Sequence, residues 1–364
     1  MPEVIFLIAL CGYFIQSILF VIGIKKRFPQ LNANQLPSAT IIVAARNEEA
    51  NILRCLKSLD NLKYPEDKLE IIIVDDKSID STGELIETYI SGKPKFKKIE
   101  AKKEIGRLKG KTNALANGID IAKGEIILTT DADCEVSPQW ATTIASYYQN
   151  DVAIVNGFTT QSAFGGFSGM QAIDFVYLLI AASGTININK PISCIGNNMS
   201  YRKSAYLEAG GYESLPFSVT EDFNLLQAIY KLNKYKLIFP LDKNALIISQ
   251  PCRNLKELYK QKKRWSVGGL AVPLRGYPIM ALGFLANLGL LLTPLFFSPV
   301  WLYLAVFKIT VDYLLLYPVH KALGIQRNLK YFFNFQLYYI IYVVLIPFVI
   351  AISRKVVWKE REYS

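Results

Sequence analysis

The sequence predicts an α/β domain with a parallel sheet, joined to apolar segments long enough to cross a membrane. Three observations predict it. Between residues 38 and 130, fully apolar runs alternate with helical patterns. Each of those runs ends in a polar cluster. The chain as a whole is 51% hydrophobic with a mean hydropathy of +0.23, yet 20% of its residues are charged, a mixture expected when a soluble domain is attached to membrane helices. At 364 residues there is room for one large domain or two ordinary ones.

Taken in order, Val4–Ile24 comes first, 21 residues without a charge, enough to cross a hydrocarbon core of about 30 Å. Lys25, Lys26 and Arg27 follow at once. A signal peptide carries its positive charges before the apolar run and a small-residue cleavage site after it. The reversed order here reads as an uncleaved anchor over residues 1–27. The positive-inside rule then puts the N-terminus outside and residue 25 onward in the cytoplasm.

Ser38–Ala45, SATIIVAA, reads as a buried strand, and Asn51–Leu59 as a helix with apolar Ile52, Leu53, Leu56 and Leu59. Leu69–Val74, LEIIIV, is the second strand. It ends at Asp75-Asp76-Lys77-Ser78-Ile79-Asp80-Ser81-Thr82, and Gly83–Ile90 continues as a helix that Asp80, Ser81 or Thr82 is placed to cap. Lys111–Ala122 reads as a helix, Glu125–Thr130 as a strand, and Phe223–Tyr230 as a further helix. Apolar strands alternating with helices mean a parallel sheet. Ligands bind such sheets at the carboxyl ends of the strands, where Arg46–Glu49, Asp75–Asp80 and Asp131–Asp133 all fall.

Gly92–Lys111 holds nine Lys or Arg against two Glu and contributes to a net charge of +11. It reads as a solvated loop or a contact for anionic lipid, with attraction of an anionic substrate as the alternative. Three more apolar runs, Pro278–Phe297, Pro299–Pro318 and Phe333–Ile352, lie toward the C-terminus. Counting four crossings puts the tail outside, yet it carries Arg354, Lys355, Lys359 and Arg361 against Glu360 and Glu362. That conflict implies a re-entrant or interfacial run, and Pro294 and Pro299 single out Pro278–Phe297. Lys308 and Asp312 lie four apart on one face of an apolar run. Each alone would cost about 2.5–3.5 kcal/mol near a bilayer centre, so pairing is expected, with a lipid-headgroup or glycan path as the alternative.

Several chemistries are excluded. The five cysteines form no CxxC pair, so neither a disulfide framework nor a zinc site is expected. His320 is the sole histidine, which leaves no Ser-His-Asp or Cys-His mechanism for the soluble part. No Walker A motif is present, and no GxGxxG follows the first strand. Carboxylates must therefore do the work. In LTTDADCEVS, Asp131 and Asp133 are separated by one residue, and in an extended chain both face one side. Two such carboxylates repel unless a cation lies between them. A hard divalent ion suits them, since Mg²⁺ binds through one or two carboxylates plus substrate phosphates. An Asp-rich surface turn is the plain alternative.

Seven segments in order resemble the membrane-embedded, inverting family 2 glycosyltransferases: VAARNEEANI (Val43–Ile52), VDDKSIDST (Val74–Thr82), GKTNALANGI (Gly110–Ile119), DAD (Asp131–Asp133), GNNMSYRKSAYLEAGGY (Gly196–Tyr212), TED (Thr220–Asp222) and QKKRW (Gln261–Trp265). The resemblance covers roughly residues 38 to 270. It implies a GT-A fold, a nucleotide-sugar donor, usually UDP-linked, and Mg²⁺ or Mn²⁺. It places Glu48 in the nucleotide-binding opening segment. Asp75 or Asp76 would accept from the base or ribose, as a carboxylate can from the uracil imide N–H. Asp131 would sit near the ribose or first phosphate and at the metal, with Asp133 as metal ligand. Lys111 and Arg264 would help stabilise the leaving diphosphate. Asp222 would be the general base, with Glu221 as the alternative; on the bare tripeptide, both are also acids favoured in a helix first turn. Asn197 and Asn198 would line the sugar pocket. Gln261 would lie near the diphosphate, and Trp265 would stack on a sugar or the acceptor entrance, unless it is simply an interfacial anchor.

The expected organisation is an anchor at 1–27, a GT-A domain at 38–270, about three transmembrane or re-entrant helices at 278–352, and a tail at 353–364. The expected protein is an integral component of the bacterial cytoplasmic membrane, with its catalytic domain in the cytoplasm. It would transfer sugar from a UDP-sugar to a lipid or short glycan. A processive polysaccharide synthase subunit is the alternative, and a non-catalytic scaffold a lesser one. A homo-oligomer or a synthase partner subunit is compatible with this; a nucleic-acid partner is not expected.

Overall fold

The computed structural model describes residues 2–101, 105–106, 108–216, 218–358 and 361–363. Lys102, Lys103, Glu104 and Arg107 of the basic stretch, and Lys359 and Glu360 of the tail, lie outside the described residues. The chain forms two compact units. One is built from Arg27–Thr159 and Cys194–Gln250, the other from Met1–Lys26, Thr160–Ser193 and Pro251–Ser364. The single domain expected over 38–270 is thus interrupted, because residues 160–193 and 251–270 cluster with the long helices.

The first unit contains β1 (Ala39–Ala45), α2 (Ile52–Asp60), β2 (Leu69–Asp75), α3 (Thr82–Ile90), β3 (Phe96–Glu100), α4 (Gly110–Ile121), β4 (Ile126–Asp131), β5 (Glu135–Val136), α5 (Trp140–Ser146) and β6 (Val152–Asn156). After β7 (Thr159–Gln161), which carries the chain into the other unit, it resumes with β8 (Met199–Arg202), α7 (Lys203–Glu208), α8 (Glu221–Lys231), β9 (Lys236–Ile238) and β10 (Ile247–Ser249). Seven strands form one sheet in the order β3-β2-β1-β4-β8-β6-β9. β5 and β10 pair separately and antiparallel.

The sheet is mixed, which corrects the expectation of a parallel one. β1, β2, β3 and β4 run parallel, as do β6 and β9, but β8 runs antiparallel to both β4 and β6. The cause is the excursion between β6 and β8: the chain returns to the edge it left, so β8 starts where β4 ends, with Met199 opposite Thr129. The basic stretch also contributes a strand rather than only a loop, because β3 pairs with β2. Fully apolar strands need cover on both faces. Ile41, Val43, Ile71, Ile73 and Leu128 pack with Leu56, Ile86 and Trp140, and each aliphatic side chain so buried is worth about 1.5–3 kcal/mol. On the sheet, Ala44 pairs with Asp131 and Ala45 with Asp75. The carboxyl ends of β2 and β4 thereby flank that of β1.

The second unit contains α1 (Pro2–Ile24), α6 (Gly166–Asn187), α9 (Leu255–Gly268), α10 (Tyr277–Leu291), α11 (Pro299–Ala322), α12 (Phe332–Ile352) and a short hairpin of β11 (Val356–Trp358) and β12 (Arg361–Tyr363). Among the described residues, five helical segments are long and apolar enough to cross a membrane: Pro2–Ile24, Gly166–Asn187, Leu274–Leu291, Pro299–Ala322 and Gln326–Ile352. Gly166–Asn187 was not among the four runs read from the sequence. It differs in kind, because the strands before and after it, β6 and β8, are hydrogen-bonded neighbours.

α6 packs against α1 and α12. Gly23 and Gly184 let α1 and α6 approach backbone to backbone, since a Cβ on Gly23 would overlap the Gly184 carbonyl. Nearby, Asn187 donates to the Gly23 carbonyl at 3.0 Å. Lys308 and Asp312 are fully buried and paired at 2.6 Å, as the pairing reading requires. Tyr13 (2.5 Å) and Gln336 (2.7 Å) also donate to Asp312, and Lys308 donates to Asn287 at 2.9 Å. Beyond α12 the chain doubles back on α9. β11 packs against that helix, and Lys263 Nζ donates to Ser353 Oγ at 3.4 Å.

Candidate active site

The loops after β1 and β2 are stitched to each other. The Asn47 N–H donates to Ser78 Oγ (3.1 Å), and its side-chain oxygen accepts from the Ile79 N–H (3.0 Å). The Glu48 N–H donates to Thr82 Oγ1 at 2.7 Å, and Glu49 exchanges contacts with Asp80 and Ser81. Asn47 and Lys77 take the left-handed backbone (φ 52° and 58°) to make these turns, which Asn tolerates better than most residues. The N-cap of α3 is Ser81, whose side chain makes no cap; Asp80, one residue earlier, accepts from the Thr82 N–H at 3.0 Å and from Thr82 Oγ1 at 2.6 Å.

This stitching separates the two aspartates after β2. Asp75 Oδ1 accepts from the Ser78 N–H at 3.0 Å, and its other oxygen is 3.9 Å from Lys98. Asp75 thus holds the turn. Asp76 follows it, with Arg46 at 4.0 Å from its carboxylate and donating to its carbonyl at 3.1 Å. Glu48 accepts from the Asn51 side chain at 2.9 Å.

β4 ends at Asp131, and the chain turns there, the Cys134 N–H donating to the Asp131 carbonyl at 3.0 Å. The extended-chain argument for Asp131 and Asp133 therefore stops at Asp131; Asp133 belongs to a turn. Arg54 on α2 donates to the Asp133 carbonyl and so braces that turn, a role no sequence spacing signalled. Two thiols lie under it. Cys55 is 3.7 Å from the Asp131 carbonyl, and Cys134 is 3.4 Å from Asp133 Oδ1. Burial pushes both thiols up, and Asp133 and Asp131 add to the effect.

Lys111, in the first turn of α4, ties the site together. Its Nζ lies 2.5 Å from Asp131 and 3.7 Å from Glu221. Burial alone would lower this ammonium's pKa, but Asp131, Glu221 and Asp222 outweigh that and hold it well above the usual lysine value. Glu221 and Asp222 open α8 after Thr220, whose side chain makes no cap. Asp222 Oδ1 accepts from the adjacent Phe223 N–H at 2.8 Å. Its carboxylate faces Gly196, where a Cβ would lie 3.2 Å away. The antiparallel β8 explains that meeting, because it starts the Gly196 segment at the β4 end.

The asparagines divide. Asn197 accepts from Thr159 Oγ1 at 2.9 Å. Asn198 is 1% exposed. It accepts from Trp140 Nε1 (3.0 Å) and donates to the Phe158 (2.7 Å) and Ala245 (2.9 Å) carbonyls. Both its amide hydrogens are taken, which corrects the expectation that Asn198 lines a sugar pocket: it pins the core. Gln261, Arg264 and Trp265 lie on α9, in the other unit. Trp265 packs edge-on against Phe175, 5.3 Å between centroids, with the Lys262 ammonium 4.3 Å from its own ring centre.

Among the described residues no group of three or more His, Cys, Asp or Glu is arranged to hold a metal. A cation bound through one or two carboxylates plus phosphate oxygens needs no such group. The donors at the β4 end are hard carboxylate oxygens. That set fits Mg²⁺ or Mn²⁺.

Comparison with known proteins agrees with this architecture. The family model described as glycosyl transferase family 2 matches residues 40–209, and glycosyl transferase family group 2 matches residues 126–353. Probable glycosyltransferase YdaM of Bacillus subtilis is 30% identical over 67% of this chain and 58% of its own length. Beta-monoglucosyldiacylglycerol synthase of Nostoc is 27% identical over 64% and 49%. Poly-beta-1,6-N-acetyl-D-glucosamine synthase of Staphylococcus aureus is 27% identical over 73% and 62%. The matched region thus spans about half to three-fifths of these curated relatives. The mannosyltransferase PcManGT of Pyrobaculum calidifontis, solved with GDP-Man and Mn²⁺, shares the fold at 19% identity, with a TM-score of 0.59 over 93% of this chain and 99% of that one. The α/β unit has the GT-A fold, and the chain belongs to the family 2 glycosyltransferases.

Proposed function

We propose that this protein transfers a sugar, with inversion, from a UDP-sugar to a lipid or short glycan acceptor at the cytoplasmic face of a membrane. The observation that carries the reading is Lys111, which bridges Asp131 at the end of β4 and Glu221 at the start of α8. One cation thereby brings the donor-side carboxylates and the base-bearing helix to a common point. Asp75 or Asp76 would read the base or ribose, Asp75 while also holding its turn. Glu48 and Asn197 would complete the donor pocket.

Asp222 would take the proton from the acceptor hydroxyl as that oxygen bonds to the anomeric carbon. The bond from that carbon to the diphosphate oxygen breaks, its electron pair leaving with the nucleoside diphosphate. A single displacement inverts the centre and needs one base. Lys111, with Arg264 and Gln261, would balance charge growing on the leaving group, and Trp265 would face the sugar or the acceptor. A divalent ion held by Asp133 and Asp131 would supply Lewis-acid charge to the diphosphate. The return of the tail to α9 supports a cytoplasmic place for Arg354 and Lys355, which removes the charge conflict that four simple crossings create.

The test incubates purified full chain in detergent with UDP-sugars and GDP-mannose, Mn²⁺ and a bacterial lipid extract, and measures nucleoside diphosphate release and labelled product. Release from a UDP-sugar, reduced by about 10²–10⁴-fold in Asp222→Asn, with label in a small lipid, is expected. Release from GDP-mannose alone would overturn the UDP assignment, and label in a high-mass polymer would overturn single transfer. Undiminished release by Asp222→Asn would remove that residue as base.

A further inference from the structure

The helical unit contains a second buried lysine–carboxylate pair, away from the pair between Lys308 and Asp312. Asp174, in the middle of α6, is fully buried, and Lys262 of α9 is 4% exposed. Lys262 Nζ donates to Asp174 Oδ2. Tyr338 of α12 also donates to that oxygen, at 3.3 Å. The other oxygen, Oδ1, is buried without a partner among the described residues. Such a pair is a poor way to gain stability, because desolvating two charges offsets much of their attraction. What it supplies is direction. The Lys262 ammonium sits 4.3 Å from the Trp265 ring centre and 5.3 Å from that of Tyr342. Trp265 in turn meets Phe175, the residue after Asp174, edge-on.

Lys262 and Trp265 are three apart and share one face of α9. Gln261 and Arg264 are each one residue earlier, about 100° around the same helix. Fixing the first face therefore fixes where the second points. We propose that Asp174 is a positioning residue: through Lys262 it sets the rotation of α9, and with it the directions of Gln261, Arg264 and Trp265. This rests on the transferase reading above for its effect on rate, but not for its effect on structure.

The experiment uses the full chain in detergent, labelled with 5-fluorotryptophan, the Trp265 line being assigned with Trp265→Phe. In Asp174→Asn that line is expected to shift or broaden while the other tryptophan lines hold. kcat falls by about 10–100-fold, the scale of a small misplacement, with donor KM changed much less. Exchanging the pair, Asp174→Lys with Lys262→Asp, restores line and rate in part. The apolar pair, Asp174→Leu with Lys262→Met, keeps the melting temperature but not the rate. A wild-type rate in the apolar pair would overturn positioning. If the wild-type chain turns over no donor, the transferase reading has failed instead. The fluorine spectrum then decides alone, and an unmoved Trp265 line in Asp174→Asn overturns the proposal.

Discussion

Lys111 and Lys308 each reach an aspartate, at 2.5 Å and 2.6 Å, yet their surroundings differ in one telling respect. Lys308 is enclosed: Asp312 receives Tyr13, Gln336 and the lysine, while Lys308 also meets Asn287. Lys111 sits where the site opens. One ammonium faces Asp131, Glu221 and Asp222, and the Asp131 side chain is 35% exposed. The buried network draws on four helices and holds them together. The site pair meets further carboxylates at an open edge, which suits the arrival of a cation and a diphosphate. Similar distances therefore serve packing in one region and an open, charged site in the other.

The comparison breaks most sharply at Lys308. Lys308→Met strands Asp312 as a buried charge and should cost about 3–5 kcal/mol of stability, read as lost thermal stability in detergent. Adding Asp312→Leu should recover most of it. If the single variant melts like the wild type, the network does not hold the helices together. At Lys111 the effect should move from stability to chemistry. Lys111→Met should lower nucleoside diphosphate release by about 10²–10³-fold. With its internal competitor gone, Mn²⁺ should raise the variant's melting temperature more than the wild type's, by mass action. No extra Mn²⁺ response would mean that Lys111 and a metal do not share these carboxylates.

A solvent-side pair sharpens the contrast from the other end. Asp60 lies 2.5 Å from Lys93 and 2.9 Å from Lys95. Slight burial works against its charge, but the two lysines hold the carboxyl down at about 2. A depressed carboxyl adds stability above its unfolded pKa of about 3.9 and loses it as pH falls through about 2. Solvent screens the pair, so Asp60→Asn should cost under about 1 kcal/mol at pH 6. The difference from wild type should fade as pH approaches 2 in urea titrations of both proteins.

Most of the α/β unit was legible because its strands are continuous apolar runs. Ala39–Ala45 and Leu69–Asp75 fall within a residue of their expected ends. Other features were not legible. Asp133 was expected on an extended chain, but pairing ends at Asp131 and no side-chain period foretells a turn there. α6 was missed because Gly, Ser, Thr, Gln and Asn interrupt its apolar run and Asp174 puts a charge within it. Those small and polar residues are what close packing on α1 demands, Gly184 above all. Asn198 misled for a related reason. An asparagine after a glycine in a family segment looks like a ligand-facing residue, and only its three protein partners reveal a core role.

The division of the chain into alternating segments also has a consequence in time. Tyr13 waits for Asp312, 299 residues later, and the sheet is incomplete until β9 has been made. At about 5–20 residues per second, the first helix spends roughly 15–60 s with its tyrosine hydroxyl unanswered while the ribosome reaches its partner. During that interval the nascent chain holds a finished first helix and a half-built sheet at once. Neither unit can mature before the other has begun, so newly made chains should depend on whatever shelters the half-built sheet and the unmatched helix until the last segments arrive.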